Sequence, residues 1–470
     1  MREEHVRFAT SGPIAGLLLI FIALAWIYNL SIPLGEGPDE PGHLAYGLFL
    51  VREHRLPVQR ATQAESDVPG EGHQPPLAYL LTTPALMWLP AEQQHLALRA
   101  NPDFIWAGGN QAAAFVHVPQ TTWPEQAWAW RLARLASTLA GACTVLCTYL
   151  ATRQIWPGER STPLLAAACV AFNPQFLFIA ALVSNDALLA ALSAAVLWIC
   201  LRVVRAAEPS RVTAFLLLGL LFGLALLTKQ SALLLGPLLL WATWRNASFQ
   251  MLTPRRQGAK PATKPLRLGA LASMRSVLYA KCEQLHWWRM VRNSIAWAGT
   301  ALLVAGGWYW RNQQLYGDPF AAALFRSHFA SQPFAWGDPA AWSGGLSQLV
   351  GSFWARFGWM NIHPPDWALW FYWGVMGLGL LGWLLPSRKP ASRLWAGPRI
   401  LLGMSAVWVL SFVATTGLVA WQGRLLFPAL AAVGIGLAGG MARTRVAWGV
   451  VAIMLGIAIS MPYMVIGVGY

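Results

Sequence analysis

Long apolar runs alternate with polar breaks along this chain. The runs fall near 12–33, 127–152, 162–183, 185–205, 212–228, 231–245, 293–310, 369–386, 398–420, 424–441 and 446–468. Several approach the roughly twenty residues that a helix needs to cross a bilayer core. They predict an all-α polytopic membrane protein of about eleven helices. A spanning barrel would need strands of alternating polarity, and none is visible. The first run is too long for a signal h-region, and no small-residue cleavage site follows it. It is expected to remain as a helix. No internal repeat and no soluble domain with its own core stands out, so 1–470 reads as a single transmembrane domain.

Three polar-rich stretches separate the runs: 34–126, 246–292 and 311–368. In the first, Pro38 ahead of Asp39 is a helix-start signal. Leu44, Leu48 and Val51 recur at helical spacing, with Phe49 and Leu50 widening the stripe. This predicts an amphipathic helix over 39–54 on the membrane surface. Residues 77–90 are apolar but short and contain Pro84, which predicts a second surface or re-entrant helix.

Composition agrees with a membrane protein: 56% of residues are apolar and 11% charged. A soluble domain is about a quarter charged. The net charge is +15. With Met1 inside, the inner segments carry 23 of the 34 Lys and Arg but five of the 19 Asp and Glu. That bias predicts a cytoplasmic N-terminus in the plasma (inner) membrane and a C-terminus outside. The basic charge then faces anionic headgroups and requires no nucleic-acid partner. The stretch 246–292, with Pro254, Pro261 and Pro265, reads as a basic cytoplasmic loop, either a solvated tether or a membrane-hugging element. Stretches 34–126 and 311–368 become outer loops. No pair among the five cysteines is placed to form a structural disulfide.

Candidate chemistry collects in the outer loops. Asp39, Glu40 and His43 sit just beyond the first run, and His73 and Gln74 precede Pro75 and Pro76. Asp39 and Glu40 could simply complement the helix dipole. Carboxylates and imidazoles brought close could instead hold a divalent metal. Asn185 and Asp186 open one run, Lys229 ends another, and Arg311 and Arg424 lie at run ends. A charge within a span costs about 2.5–3.5 kcal/mol, so it tends to have a partner or a task. The three cations could bind a lipid phosphate or snorkel to headgroups. The 27 Trp cluster near run ends, as an interfacial belt would.

DEPGH followed by HQPPL resembles the paired signature of protein O-mannosyltransferases. It also resembles the DE…KPPL pair of lipid A aminoarabinose transferases. Both are GT-C class membrane glycosyltransferases that use polyprenyl-phosphate-linked sugars. SNDALLA, GLALLTK, WYWRNQQLYGDPF and QGRLLFPAL follow in the matching order. The resemblance implies a GT-C-like bundle and a sugar transferred to a hydroxyl acceptor on lipid, glycan or protein at the outer face. It implies Asp39 as the acceptor-side base, with inversion at the anomeric carbon. Glu40 and His73 would lie near a bound divalent metal or the donor phosphate, with His43 as a further ligand. Asp186 would shape the acceptor side. Lys229, Arg311 and Arg424 would contact the donor phosphate, together with Gln74 at the position of a phosphate-binding Lys in the aminoarabinose enzymes. The alternatives are a polymerase or ligase of lipid-linked glycans, and a transporter or flippase of lipid-linked sugars. A transporter would call for broken helices or half-repeats with midplane charges.

Overall fold

The computed structural model describes residues 2–105, 110–117, 123–206, 210–248, 268–329, 334–385, 393–416 and 421–466. Regular structure among them is helical, with two isolated β-bridges and no strand. Every apolar run carries helix. Six helices are long and apolar enough to cross a membrane, or seven if one bent pair is a single span. The predicted count of eleven is not reached by that measure, because several helices are short. Examples are Val212–Leu226 and Gly236–Ala247, with 15 and 12 residues.

Three expectations need correction. The run 162–183 is not one helix. It breaks into Ser161–Ala171 and Pro174–Ala180, bent by 64°. Pro174 cannot donate to the preceding turn, and Asn173 accepts from Phe176 N to start a new helix. A broken helix is thus present where the sequence suggested none.

Second, Leu268–Tyr316 is one helix of 49 residues, so the later part of the stretch 246–292 is helical. The three prolines that suggested a loop all precede it and, with the rest of 249–267, lie outside the described residues.

Third, the helix Glu40–Glu53 is not a one-sided surface helix. Leu44 and Leu48 pack with Leu34, Leu86, Trp130 and Val183. Tyr46, Phe49 and Leu50 pack with Val68 and Tyr79 on another face. The apolar stripe is wide because the helix is covered by its own loop. The 77–90 stretch forms only two single turns, Leu77–Leu80 and Thr83–Leu86. Beyond them Trp88 is 83% exposed.

The stretch 34–126 is fixed to the bundle by buried acids. Glu40 and Arg134 are both fully buried and form a two-pronged pair, at 2.7 Å from Nε to Oε1 and 2.8 Å from Nη2 to Oε2. Trp130 Nε1 and Val183 N also donate to Glu40 Oε1, each at 3.0 Å. Arg134 spends its other hydrogens on Asn29 O, Ile32 O and Pro33 O at the end of the first helix. One ion pair therefore joins four chain segments. Glu36 accepts from Ala114 N, Phe115 N and His117 Nε2, holding the far end of the same stretch. Asn361 donates to Asn110 O and Ala112 O, tying the stretches 34–126 and 311–368 together.

Breaking a buried pair by removing one partner costs about 3–5 kcal/mol, because a charge is stranded. Arg134→Met is expected to lower the melting temperature of the detergent-solubilised protein markedly. Adding Glu40→Met should recover part of the loss. An unchanged melting curve for the single variant would show that the pair does not hold the fold.

Candidate functional site

Asp39 stands at the start of the Glu40–Glu53 helix with φ 63° and ψ −2°, in the left-handed region. Its side chain makes no capping hydrogen bond. Instead Oδ2 accepts from Arg424 Nη2 at 2.7 Å. Left-handed backbone is tolerated better by Asp than by most residues. Here it turns the carboxylate away from its own helix end and toward a residue 385 positions later. Asp39 is 40% exposed at its side chain, whereas Arg424 is 8% exposed. The carboxylate therefore faces both the protein and open space.

Arg424 reaches this point on a 3-10 turn, Gly423–Ala429. Gly423 is required there: a β-carbon would lie 2.1 Å from Phe353 N, against rigid backbone. Its own N–H donates to Ser352 Oγ at 2.8 Å. Arg424 Nε donates to Gln422 Oε1 at 2.7 Å. Arg424 Nη1 has no hydrogen-bond partner and lies 3.5 Å from Asp186 Oδ2, which also has none.

Asp186 belongs to the first turn of the Asn185–Arg205 helix, capped by Ser184. The positive end of that helix favours its charge. Lys229 Nζ donates to Asp186 Oδ1 and, at 3.2 Å, to Asn185 Oδ1. Lys229 arrives where the Val212–Leu226 helix ends and a 3-10 turn begins. Two carboxylates and two cations thus alternate in a row: Asp39, Arg424, Asp186, Lys229. The row lies at the starts or ends of four helical elements.

A second row flanks the first. Asn185 Nδ2 donates to Gln74 Oε1 at 2.7 Å and to Tyr79 OH at 3.1 Å. Tyr79 OH donates to Glu71 Oε2 at 3.4 Å. His43 Nε2 is 3.6 Å from the same oxygen, and its Nδ1 contacts Val183 O at 3.0 Å. Burial, and next the nearby Asp39 charge, push the Glu71 carboxyl well above the usual range. Burial also holds His43 below its usual value, against the pull of Asp39. Burial thus disfavours the charged form of both groups. Burial pushes Asp39 upward too, but neighbouring positive charge, the Arg424 guanidinium foremost, outweighs it. Asp39 stays below the ordinary carboxylate range and ionised.

The sequence-derived candidates divide clearly. Asp39, Asp186, Lys229 and Arg424 converge, and Gln74 joins them through Asn185. Glu40 does not: both its oxygens are consumed by Arg134, Trp130, Val183 N and Gly35 N. Arg311 points elsewhere. Its Nη2 donates to Leu56 O and Pro57 O, and its guanidinium lies 5.1 Å from the Trp308 ring. His73 is buried beside Phe325, with ring centroids 5.8 Å apart. Glu40, His43 and His73 do not form a metal-ligand set. Among the described residues no three His, Cys, Asp or Glu side chains are placed to hold an ion. Glu71 and Tyr79 were not singled out in the sequence. Their only signal is an acid and a phenol bracketing HQPP, in a stretch that carries several such residues.

Residues 128–255 match the family model of dolichyl-phosphate-mannose-protein mannosyltransferases. The match covers about a quarter of the chain, and over that segment the chain is similar to this family. The segment contains Asp186 and Lys229. No curated protein matches the chain. Among solved structures it is similar to ArnT from Cupriavidus metallidurans bound to undecaprenyl phosphate, at 15% identity and a TM-score of 0.49. That similarity covers 94% of this chain and 63% of the other. The S. cerevisiae Pmt1-Pmt2 complex bound to its sugar donor is similar at 16% identity and TM-score 0.42, over 65% of this chain and 34% of the other. The Archaeoglobus fulgidus oligosaccharyltransferase AglB, in complex with an inhibitory peptide and a dolichol-phosphate, gives 15%, 0.46, 96% and 55%. The chain spans between about a third and two thirds of the length of these chains.

The charge row makes a direct spectroscopic prediction. In the wild type, the Asp39 carboxylate band, isolated in the infrared by subtracting Asp39→Asn, should persist below the ordinary titration point of about 3.9. In Arg424→Gln the lowering influence is gone and burial acts with less opposition. The band should then be lost at a higher pH than in the wild type. Equal titration in both proteins would show that Arg424 does not set the Asp39 charge.

Proposed function

We propose that this protein transfers a sugar from a polyprenyl-phosphate-linked donor to a hydroxyl acceptor, with Asp39 as general base. The observation that carries the reading is the alternating row of Asp39, Arg424, Asp186 and Lys229. An ionised acid that is partly exposed stands beside two cations, one of which has an unpartnered nitrogen. That is the pairing a phosphate leaving group and an attacking hydroxyl require. The family match over 128–255 supports the same donor class.

In this reading the donor tail stays in the lipid and its phosphate meets Arg424 Nη1 and Lys229. Asp39 takes the proton of the acceptor hydroxyl as that oxygen bonds to the anomeric carbon. The bond from that carbon to the phosphate oxygen breaks, and its electron pair leaves with the polyprenyl phosphate. Arg424 and Lys229 stabilise the charge that builds there. Attack opposite the phosphate inverts the anomeric centre. Asp186 positions the two cations, since it contacts both. Gln74 acts through Asn185. The sidedness of the basic residues supports a site on the outer face of the plasma membrane.

The bent pair Ser161–Ala171 and Pro174–Ala180 is the feature that a transporter of lipid-linked sugars would share. One experiment separates the two readings. Purified protein in lipid vesicles is given a panel of polyprenyl-phosphate sugars with hydroxyl acceptors. Release of polyprenyl phosphate is expected, and Asp39→Asn should reduce turnover by about 10²–10⁴-fold while donor binding persists. Movement of intact donor across the bilayer without release would overturn the transferase reading. Near-normal turnover in Asp39→Asn would remove Asp39 from its role.

A further inference from the structure

The helix Asn185–Arg205 joins two charged ends. Asp186 lies in its first turn, and Arg202 and Arg205 lie in its last. At 1.5 Å per residue those ends are about 28 Å apart, close to one bilayer core. The neighbouring helix Leu135–Ile155 brings Arg153 to the same far end, also in its last turn. Between the two helices opens a cavity of about 370 Å³, lined by the three arginines together with Leu150, Gln154, Pro157 and Trp198. It lies on the side of the bundle opposite Asp39.

The three guanidiniums are unusual in their company. Arg205 Nη1 donates to Arg153 O at 3.2 Å, and Arg153 lies 5.7 Å from the Tyr149 ring. Among the described residues no carboxylate pairs with any of the three. The two helix C-termini account for about half a charge each. Three full positive charges exceed that, and they converge on one cavity instead of spreading around the bundle. Of the other walls, Leu150, Pro157 and Trp198 are apolar or aromatic and suit the upper acyl region of a lipid, while Gln154 adds one amide that can donate to a phosphate or glycerol oxygen. A cavity at a helix end one bilayer away from the first charged site is at headgroup depth.

We infer that this cavity is a binding site for the phosphodiester headgroup of an anionic phospholipid. Guanidinium forks match phosphate oxygens in two-pronged geometry. Each such basic residue near an anionic membrane contributes about 1 kcal/mol. A lipid carrying two phosphates satisfies the cluster better than one carrying a single phosphate. The inference is independent of the reaction proposed above.

Native mass spectrometry of the full chain, released from detergent, tests it with cardiolipin, phosphatidylglycerol and phosphatidylcholine as probes. The wild type should retain cardiolipin most, phosphatidylglycerol less and phosphatidylcholine least. The variant carrying Arg153→Gln, Arg202→Gln and Arg205→Gln should retain cardiolipin at least about tenfold less. Arg443→Gln is the control, since Arg443 stacks on Trp383 and does not line the cavity. It should behave as wild type. If the triple variant does not fold, Arg202→Gln alone should still weaken retention severalfold. Unchanged retention in a folded variant, an equal effect of Arg443→Gln, or equal retention of phosphatidylcholine would overturn the inference. Displacement of cardiolipin by millimolar inorganic phosphate would show a free-phosphate site instead.

Discussion

The buried Glu40–Arg134 pair is the constraint on which the site depends. Glu40 is locked from four directions, and Arg134 clamps the end of the first helix. Asp39 is the residue immediately before Glu40. Once Glu40 is held inward, the left-handed turn at Asp39 sends its carboxylate the other way, toward Arg424. Adjacent acids thus take opposite tasks. One is used up in buried packing and the other keeps a partly exposed carboxylate.

Charge is sorted in the same economical fashion. A low-dielectric setting disfavours every isolated ion. The structure keeps four ions in a row where each acid touches a cation, and burial disfavours the charged forms of the flanking Glu71 and His43. A negatively charged Glu71 would compete with Asp39 for the same cations and push it upward. Raising Glu71 and lowering Asp39 separates the two carboxyls, and favours Asp39 as the ionised one on the open side.

Much of this was legible beforehand. Apolar run length located the helices, because crossing a bilayer demands a contiguous stretch that soluble packing does not. The order DEPGH, HQPPL, SNDALLA, GLALLTK and QGRLLFP named the elements that carry the site. The breaks were less legible. Pro174 marks the bend after Ala171, yet a proline inside an apolar run fits a mere kink equally well. The width of the apolar stripe over 39–54 also permitted two answers. A surface helix and a helix buried beneath its own loop show nearly the same pattern.

Sequence alone determined that the chain is a helical membrane protein, with its acids and cations grouped at run ends, because composition and periodicity act locally. It could not assign partners among them. Glu40 and Asp39 are indistinguishable as neighbouring carboxylates until Arg134 and Arg424 arrive from 94 and 385 residues away. Arg311 and Arg424 look alike as cations at run ends until one binds the Leu56 and Pro57 carbonyls and the other meets Asp39 and Asp186. Those choices are contacts across long loops, and only the tertiary arrangement of the helices fixes which ends meet.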